Sequence, residues 1–205
     1  DTITTTSDEK DRTTVLDYVH THERVYPVGR LDRNTTGVLL LTNDGELTNR
    51  LTHPSFEIER EYHVALDKPL TTDDAKRIAT GGLDLGDGDI TGEAEVSFSD
   101  ADRTDIMLKL REGKNREVRR IFETLGYDVK RLDRTSFAGI THRGMSRGES
   151  RPLTPQEVRA LRKTAGIEVD WGSAPGRAHV SSDAPTLPPP PSSRVSLAEL
   201  ARASQ

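Results

Sequence analysis

The chain has no cysteine. A disulfide framework, a thiolate metal centre and a cysteine nucleophile are therefore all excluded. Apolar residues are scarce at 32%, below the usual share for a globular domain. The longest wholly apolar run is Val38 to Leu41, far short of a membrane span. No GK[ST] completes a phosphate-binding loop and no HExxH marks a zinc site. The stretch Asp87-Gly88-Asp89-Ile90-Thr91-Gly92 resembles the start of a calcium loop, but its twelfth position is Phe98, not glutamate. A hairpin turn is expected there. His20 and His22 have no third ligand nearby in sequence and read as surface residues at a helix end. No metal and no organic cofactor is expected. No signal peptide is visible, so a cytoplasmic protein is expected. The chain opens at Asp1 and not at a methionine, which reads as a truncated start.

Charge is abundant and unevenly spread. The net charge is −5, with 29 basic against 34 acidic residues. Residues 109–134 carry nine basic and five acidic side chains, whereas 67–105 carries four basic and eleven acidic ones. A basic stripe on an acidic chain can steer a polyanion to one face. It can equally be a solvated helix face laced with ion pairs.

The organisation is a mixture of strands and helices. Thr2 to Thr6 reads as part of a strand, and Thr13 to His20 has apolar residues at helical spacing. Gly37 to Thr42 reads as a buried strand. Asp44 is placed to cap a helix over Gly45 to Thr52, and Glu61 to Leu66 alternates as a strand with Tyr62, Val64 and Leu66 on one face. Thr72 to Thr80 predicts a helix closed by Gly81-Gly82. Ala94-Val96-Phe98 and Ile106-Leu108-Leu110 predict half-buried strands. Asn115 to Leu125 predicts an amphipathic helix, with Val118, Ile121, Phe122 and Leu125 inward and Arg116, Arg119, Arg120 and Glu123 outward. Gly126 serves as its stop. Val129 to Ile140 resumes extended character. A last helix starts at the capping box Thr154-Pro155-Gln156-Glu157 and closes at Gly166. Beyond Trp171 the composition turns to Pro, Ser and Ala. One folded domain over 1–170 and a disordered tail over 171–205, with a weak helix at Leu197 to Ala203, are expected.

Asp32 carries the most chemistry. It lies between Arg30 and Arg33 on a turn rich in Gly, Asn and Thr, directly before the apolar run. An opposite charge within about 4–6 Å keeps a carboxylate ionised, and an ionised carboxylate at a strand mouth can act as nucleophile or base. A turn residue bonding its own backbone is the alternative reading.

Three blocks widen the view: GRLDRNTTGVLLLTNDGEL, then HPSFEIEREYHVAL at 53–66, then LREGKNREVRRIFETLGYDVKRLDR at 110–134. In this order and spacing they resemble the RsuA/RluB branch of the ribosomal RNA pseudouridine synthases. The resemblance implies an α+β fold with a mixed, largely antiparallel central sheet, flanking helices and an active-site cleft crossing it. By motif position it assigns catalysis to Asp32, to Tyr62 beside the target uracil, and to Arg119 as the basic partner of the aspartate. Tyr62 as a core aromatic and Arg119 as a partner of Glu123 remain the alternatives. Arg30, Arg33, Lys114, Asn115, Arg116 and Arg120 are the candidate RNA contacts.

The implied reaction is isomerisation of uridine to pseudouridine without a cofactor, on a nucleotide flipped out of its helix or loop. Ribosomal RNA is the implied partner, free or within an assembly intermediate, with the HPSFEIEREY block leaning towards the large-subunit 23S molecule. A monomer is expected. The S4-like RNA-binding domain with which most members of that branch begin is missing, as is the Lys-Pro of their first catalytic-domain strand. A silent rRNA-binding assembly factor and a hydrolytic N-glycosidase with Glu61 as second carboxylate are the readings from other classes.

Overall fold

A computed structural model describes Thr4 and residues 13–19 and 21–167. The expected strand at Thr2 to Thr6 and the whole tail from 171, with its weak helix, lie outside these residues. The central sheet has the order β2-β7-β4-β6-β5, with β8 alongside β7. Its strands are β2 (Thr36–Gly37), β4 (Arg60–Leu66), β5 (Glu95–Phe98), β6 (Asp105–Leu110), β7 (Val129–Phe137) and β8 (Ile140–Thr141). All pairings are antiparallel except β2 with β7. A separate two-stranded ribbon joins β1 (Tyr26–Pro27) to β3 (Leu41–Thr42). Among the described residues the α-helices are α1 (Gly45–Thr52), α2 (Thr72–Thr80), α3 (Glu117–Thr124) and α4 (Pro155–Thr164). The α+β class is as expected.

The local signals explain most boundaries. Asp44 caps α1 by accepting from the Leu47 amide at 2.9 Å, satisfying a donor the first turn leaves free. Thr154 and Glu157 form the reciprocal capping box of α4 with Pro155 at its first position. Gly126 adopts φ +80° after α3, the left-handed stop that glycine permits. Asp87 and its flanking glycines close a hairpin, with Leu85 N–H bonded to Asp89 O at 2.8 Å. No cluster of His, Asp or Glu able to hold a metal occurs among the described residues, and none of their helices is long and apolar enough to cross a membrane.

Three expectations need correction. The helix at Thr13 to His20 is a single 3-10 turn over Val15–Tyr18. The predicted α3 begins at Glu117, two residues late, because Arg116 turns to φ 47° in the left-handed region. The run Gly37 to Thr42 is not one strand: only its ends pair, through β2 and β3. All of Val38 to Leu41 is nonetheless buried, and the two faces of the run feed different cores. Val38 and Leu40 join the cluster beneath α1 and α4, while Leu39 and Leu41 pack with Val15 and Val25. Alternation splits an unbroken apolar run between two buried faces.

A third core holds Val64, Leu66, Ile106, Leu108 and Leu132 of the sheet against Val118, Ile121 and Phe122 of α3. The cleft of interest lies where this core meets the α1/α4 core. Glycine is required at one junction: Gly37 sits at φ +117°, and a Cβ there would collide with the backbone of Arg134. A Gly37→Ala variant is expected to lose at least about 1–3 kcal/mol, read as a lowered denaturant midpoint.

At α4, Arg151 donates to both carboxylate oxygens of Glu157, at 2.9 and 2.6 Å. This fork is the main reason that the Glu157 carboxyl is lowered from 4.5 to about 2. The folded value lies below the unfolded one, so the stabilisation is complete above about pH 4.5 and is lost on acidification towards about pH 2. The site is partly exposed, which limits the effect. Glu157→Gln is expected to cost about 1 kcal/mol at neutral pH, and the gap to the unaltered chain should close as thermal melts are taken down to pH 2–3.

Candidate active site

The Asp32 turn is built by the ribbon. Val28 N–H bonds Leu40 O at 2.7 Å, extending the β1–β3 pairing, and Thr35 N–H closes back on Asp32 O at 2.9 Å. The chain then enters the main sheet: β2 aligns Thr36 with Asp133 and Gly37 with Arg134, and Val38 N–H bonds Arg134 O at 2.8 Å. The turn is thus clamped by a ribbon on one side and a parallel strand on the other.

Tyr62 is delivered by β4. A register shift between Glu61 and Tyr62 sets Tyr62 opposite Arg134 on β7, and Leu108 lies opposite on β6. Such an irregularity re-aims a side chain at a functional rim. Arg60 stands two residues earlier on the same face, opposite Leu110 and Phe137.

Asp32 and Tyr62 line one cavity of about 360 Å³, with Val28, Leu31, Leu110, Val118, Leu132 and Phe137 as its apolar wall. Five cations, Arg30, Arg60, Lys114, Arg116 and Arg134, also line it, with Glu117 as the second carboxylate besides Asp32. The loop from Gly113 to Arg116 is fixed by Glu117, a side chain only 5% exposed. Its carboxylate accepts the Lys114 amide at 3.0 Å and lies 3.8 Å from the Lys114 ammonium. Burial pushes the Glu117 carboxyl up, and the Lys114 contacts and Arg60 oppose this.

Arg119 does not line this cavity. It belongs to a neighbouring depression with Arg33, Asn34, His63, Lys130, Arg131 and Asp133. Its guanidinium donates to Asn34 O at 2.5 Å and to Val129 O at 3.2 Å, gripping the backbone of the turn that carries Asp32. Burial lowers its pKa, Arg116 adds to that, and the charge of Asp32 opposes it. The outward-facing helix arginine of the amphipathic reading is therefore buried, with 9% exposed. Among the described residues no hydrogen bond or ion pair joins the Asp32 side chain to Arg30 or Arg33, so the expected clasp between flanking arginines is not formed. The two diverge: Arg30 lines the cavity of Asp32 and Arg33 the neighbouring depression.

The other candidate contacts divide similarly. Asn115 and Arg116 line the cavity. Lys114 does too, while pairing with Glu112 and donating to Ile90 O at 2.9 Å. Arg120 is committed elsewhere: it bonds Asp89 at 2.6 Å and the carbonyls of Leu85 and Gly86 at 3.1 and 3.0 Å. It ties α3 to the hairpin. Glu61 points to the other face of the sheet and pairs with Lys109 at 3.5 Å, away from Asp32.

Residues 2–124 match the family described as RNA pseudouridylate synthase. The chain belongs to that family. It is 40% identical over 168 residues to the ribosomal large subunit pseudouridine synthase B of Bacillus subtilis, covering 80% of this chain and 68% of the relative. It is 35% identical over 156 residues to the dual-specificity RNA pseudouridine synthase RluF of Escherichia coli, covering 76% of this chain and 52% of that protein. Against the large subunit synthase B of Xylella fastidiosa (strain Temecula1) it is 39% identical but spans only 37% of the longer protein. A crystal structure of a pseudouridylate synthase superposes with a TM-score of 0.70 at 29% identity, over 78% of this chain and 69% of that one. The RsuA/RluB-type kinship and the fold expected from the three blocks are thus confirmed.

Sequence reasoning missed Arg60, Arg134, Gly113 and Glu117. Arg60 was within reach of the alternation rule, since it precedes Tyr62 by two on the same strand. Arg134 needed the β4–β7 register, which no local pattern supplies. Arg116 is about half exposed, and among the described residues its guanidinium has a 3.7 Å contact with Glu123. Its replacement by alanine is expected to weaken RNA binding irrespective of sequence and to reduce the salt slope by about 1, measured by filter binding across a salt series.

Proposed function

We propose that this chain isomerises a specific uridine to pseudouridine in ribosomal RNA, with the large-subunit 23S molecule favoured over the small. The observation that carries the reading is the convergence of Asp32 and Tyr62, from a turn and a strand, on one cation-lined cavity. The names of the relatives support the rRNA substrate and the large-subunit preference. The cavity volume of about 360 Å³ is at the low end of the roughly 300–1,000 Å³ of small-molecule sites. It admits one nucleotide and not a duplex, so the target must flip out of its stack.

In this cavity the Asp32 carboxylate either attacks C1′ of the ribose or takes the C2′ proton. The C1′–N1 bond breaks, the uracil turns, and its C5 joins C1′. The C5 proton then leaves and N1 takes one up. Tyr62 offers its ring to the detached base and its hydroxyl as a relay for the C5 proton. Arg119 acts on Asp32 through the turn it grips and through its charge. Isomerisation leaves the composition of the substrate unchanged, so the reaction requires no cofactor. The Arg30, Asn115 and Arg116 side chains at the cavity are placed to meet the flanking backbone. One chain supplies every lining group, so a monomer suffices, and an rRNA substrate puts the work in the cytoplasm, on free RNA or on an assembling subunit.

Asp32→Asn tests this reading. The variant should fold and bind RNA normally but lose pseudouridine formation by at least roughly 10²–10⁴-fold, measured by tritium release from 5-tritiated uridine in an rRNA transcript. Undiminished turnover by the variant would reject the role of Asp32, and no turnover by the unaltered chain would leave a silent assembly factor. Release of free uracil would favour the hydrolytic reading, for which Glu117 and not Glu61 is the second carboxylate within the cavity.

A further inference from the structure

Two guanidiniums in the cavity form no contact ion pair with a carboxylate among the described residues, Glu117 acting on Arg60 only from farther off, and both are buried. Arg60 is 8% and Arg134 is 4% exposed. Arg60 donates to the carbonyls of Ile58 at 2.8 Å, Glu112 at 3.0 Å and Leu51 at 3.2 Å. Arg134 donates through Nε and Nη2 to Val38 O, at 2.9 and 2.7 Å. Both lie over the ring of Phe137, their central carbons 5.1 and 4.8 Å from its centroid. These contacts satisfy hydrogen bonds and fix orientation, yet carbonyl dipoles and a ring face neutralise no net charge.

Burying a charge without a counter-ion is unfavourable. Burial accordingly lowers the Arg60 pKa and the neighbouring Arg134 lowers it further, while Tyr62 and the more distant charge of Glu117 oppose the shift without cancelling it. Gly113 is part of the arrangement, because a Cβ there would come within 3.0 Å of the Arg60 guanidinium carbon. The other lining cations differ: Lys114 is paired with Glu112 and Glu117, and Arg30 and Arg116 are exposed. Two fixed positive charges therefore face the cavity beside Tyr62, one preceding it by two on β4 and one opposite it on β7.

We propose that Arg60 and Arg134 form an anion subsite for the detached uracil, stabilising the monoanion produced when the glycosidic bond breaks. This rests on the isomerase reading above. When C1′–N1 breaks, the bonding pair leaves on N1, and the charge spreads to O2 and O4 of the ring. The sugar is held meanwhile either as an ester with Asp32 or as a glycal whose C2′ proton Asp32 has taken. The anion forms on both routes and is consumed when its C5 bonds to C1′. On the ester route this displaces the carboxylate; on the glycal route C2′ recovers its proton from Asp32. Preorganised cations act where that charge develops. They also keep the free base from escaping while it turns.

The test varies the leaving group. Arg60→Gln, Arg134→Gln and the corresponding lysine variants are assayed in single turnover, by loss of the starting N1-linked nucleoside, on 23S rRNA transcripts made with uridine or with 5-fluorouridine, whose base is the more stable anion and whose ring, lacking a C5 proton, stops after C5–C1′ bonding. Each glutamine variant should lose about 10²-fold in rate on uridine RNA with RNA affinity little changed. The deficit should shrink several-fold on the 5-fluorouridine transcript, and lysine should restore part of it. An equal deficit on both transcripts means a structural role and overturns the proposal. Loss of RNA affinity and of salt slope with the rate retained would assign the arginines to a backbone phosphate and also overturn it.

A second arm needs no variant and no turnover. 5-Nitrouracil, an acidic uracil, should bind the unaltered chain more tightly than uracil, and more tightly once ionised, as followed by NMR shifts across pH. Equal binding of the two, or displacement of 5-nitrouracil by inorganic phosphate at matched ionic strength, refutes the subsite. If no rRNA transcript is turned over by the unaltered chain, the isomerase reading fails by itself, while 5-nitrouracil still reports on the anion site.

Discussion

The hydrogen bond from Arg119 to the Asn34 carbonyl, 2.5 Å long, joins the two parts of this molecule on which the proposed chemistry depends. One part is a turn at the end of a ribbon, and the other is a helix that packs on the far side of the sheet core. Without that bond the turn would hang from short strand ends, β2 being two residues long. With it, the carboxylate has a fixed place and a buried positive neighbour. The arginine needs this contact too, because a buried guanidinium must find acceptors, and its Nε finds none among the described residues.

Around that link the site follows from strand pairing. The pleat puts Arg60 and Tyr62 on the cavity face of β4, with His63 lining the neighbouring depression. Register with β7 then sets Arg134 opposite Tyr62. The same face further along, at Val64 and Leu66, is core. A single strand thus runs from reactive cavity to packed interior, and the change from Arg and Tyr to Val and Leu marks where the cleft closes.

Elements governed by neighbouring residues were legible in the sequence. Asp44 before α1, the Thr154–Glu157 box before α4, Gly126 after α3 and the Asp87 hairpin all act within a few residues. The failures have a common cause. Val38 to Leu41 reads as one strand, yet its two faces enter separate cores and only its ends find partners. Arg119 reads as solvent-facing by helical period, yet a distant turn covers that part of α3. Arg60 and Arg134 read as ordinary charges, because a buried cation is defined by what surrounds it. The three sequence blocks brought Asp32, Tyr62 and Arg119 together by kinship; pattern alone leaves them as separate residues.

The span of these contacts bears on how the protein is made. Arg119 and Asn34 are 85 positions apart, Arg134 and Val38 are 96, and Thr36 and Asp133 are 97. The β1–β3 ribbon can close as soon as it leaves the ribosome, but the long-range contacts that orient its turn are incomplete until α3 and then β7 have been synthesised. Contacts of such separation form slowly, since the loop they close must be ordered first. A nascent chain therefore carries Asp32 on an unfinished turn until β7 arrives, and the groups proposed for catalysis meet only once these distant contacts form.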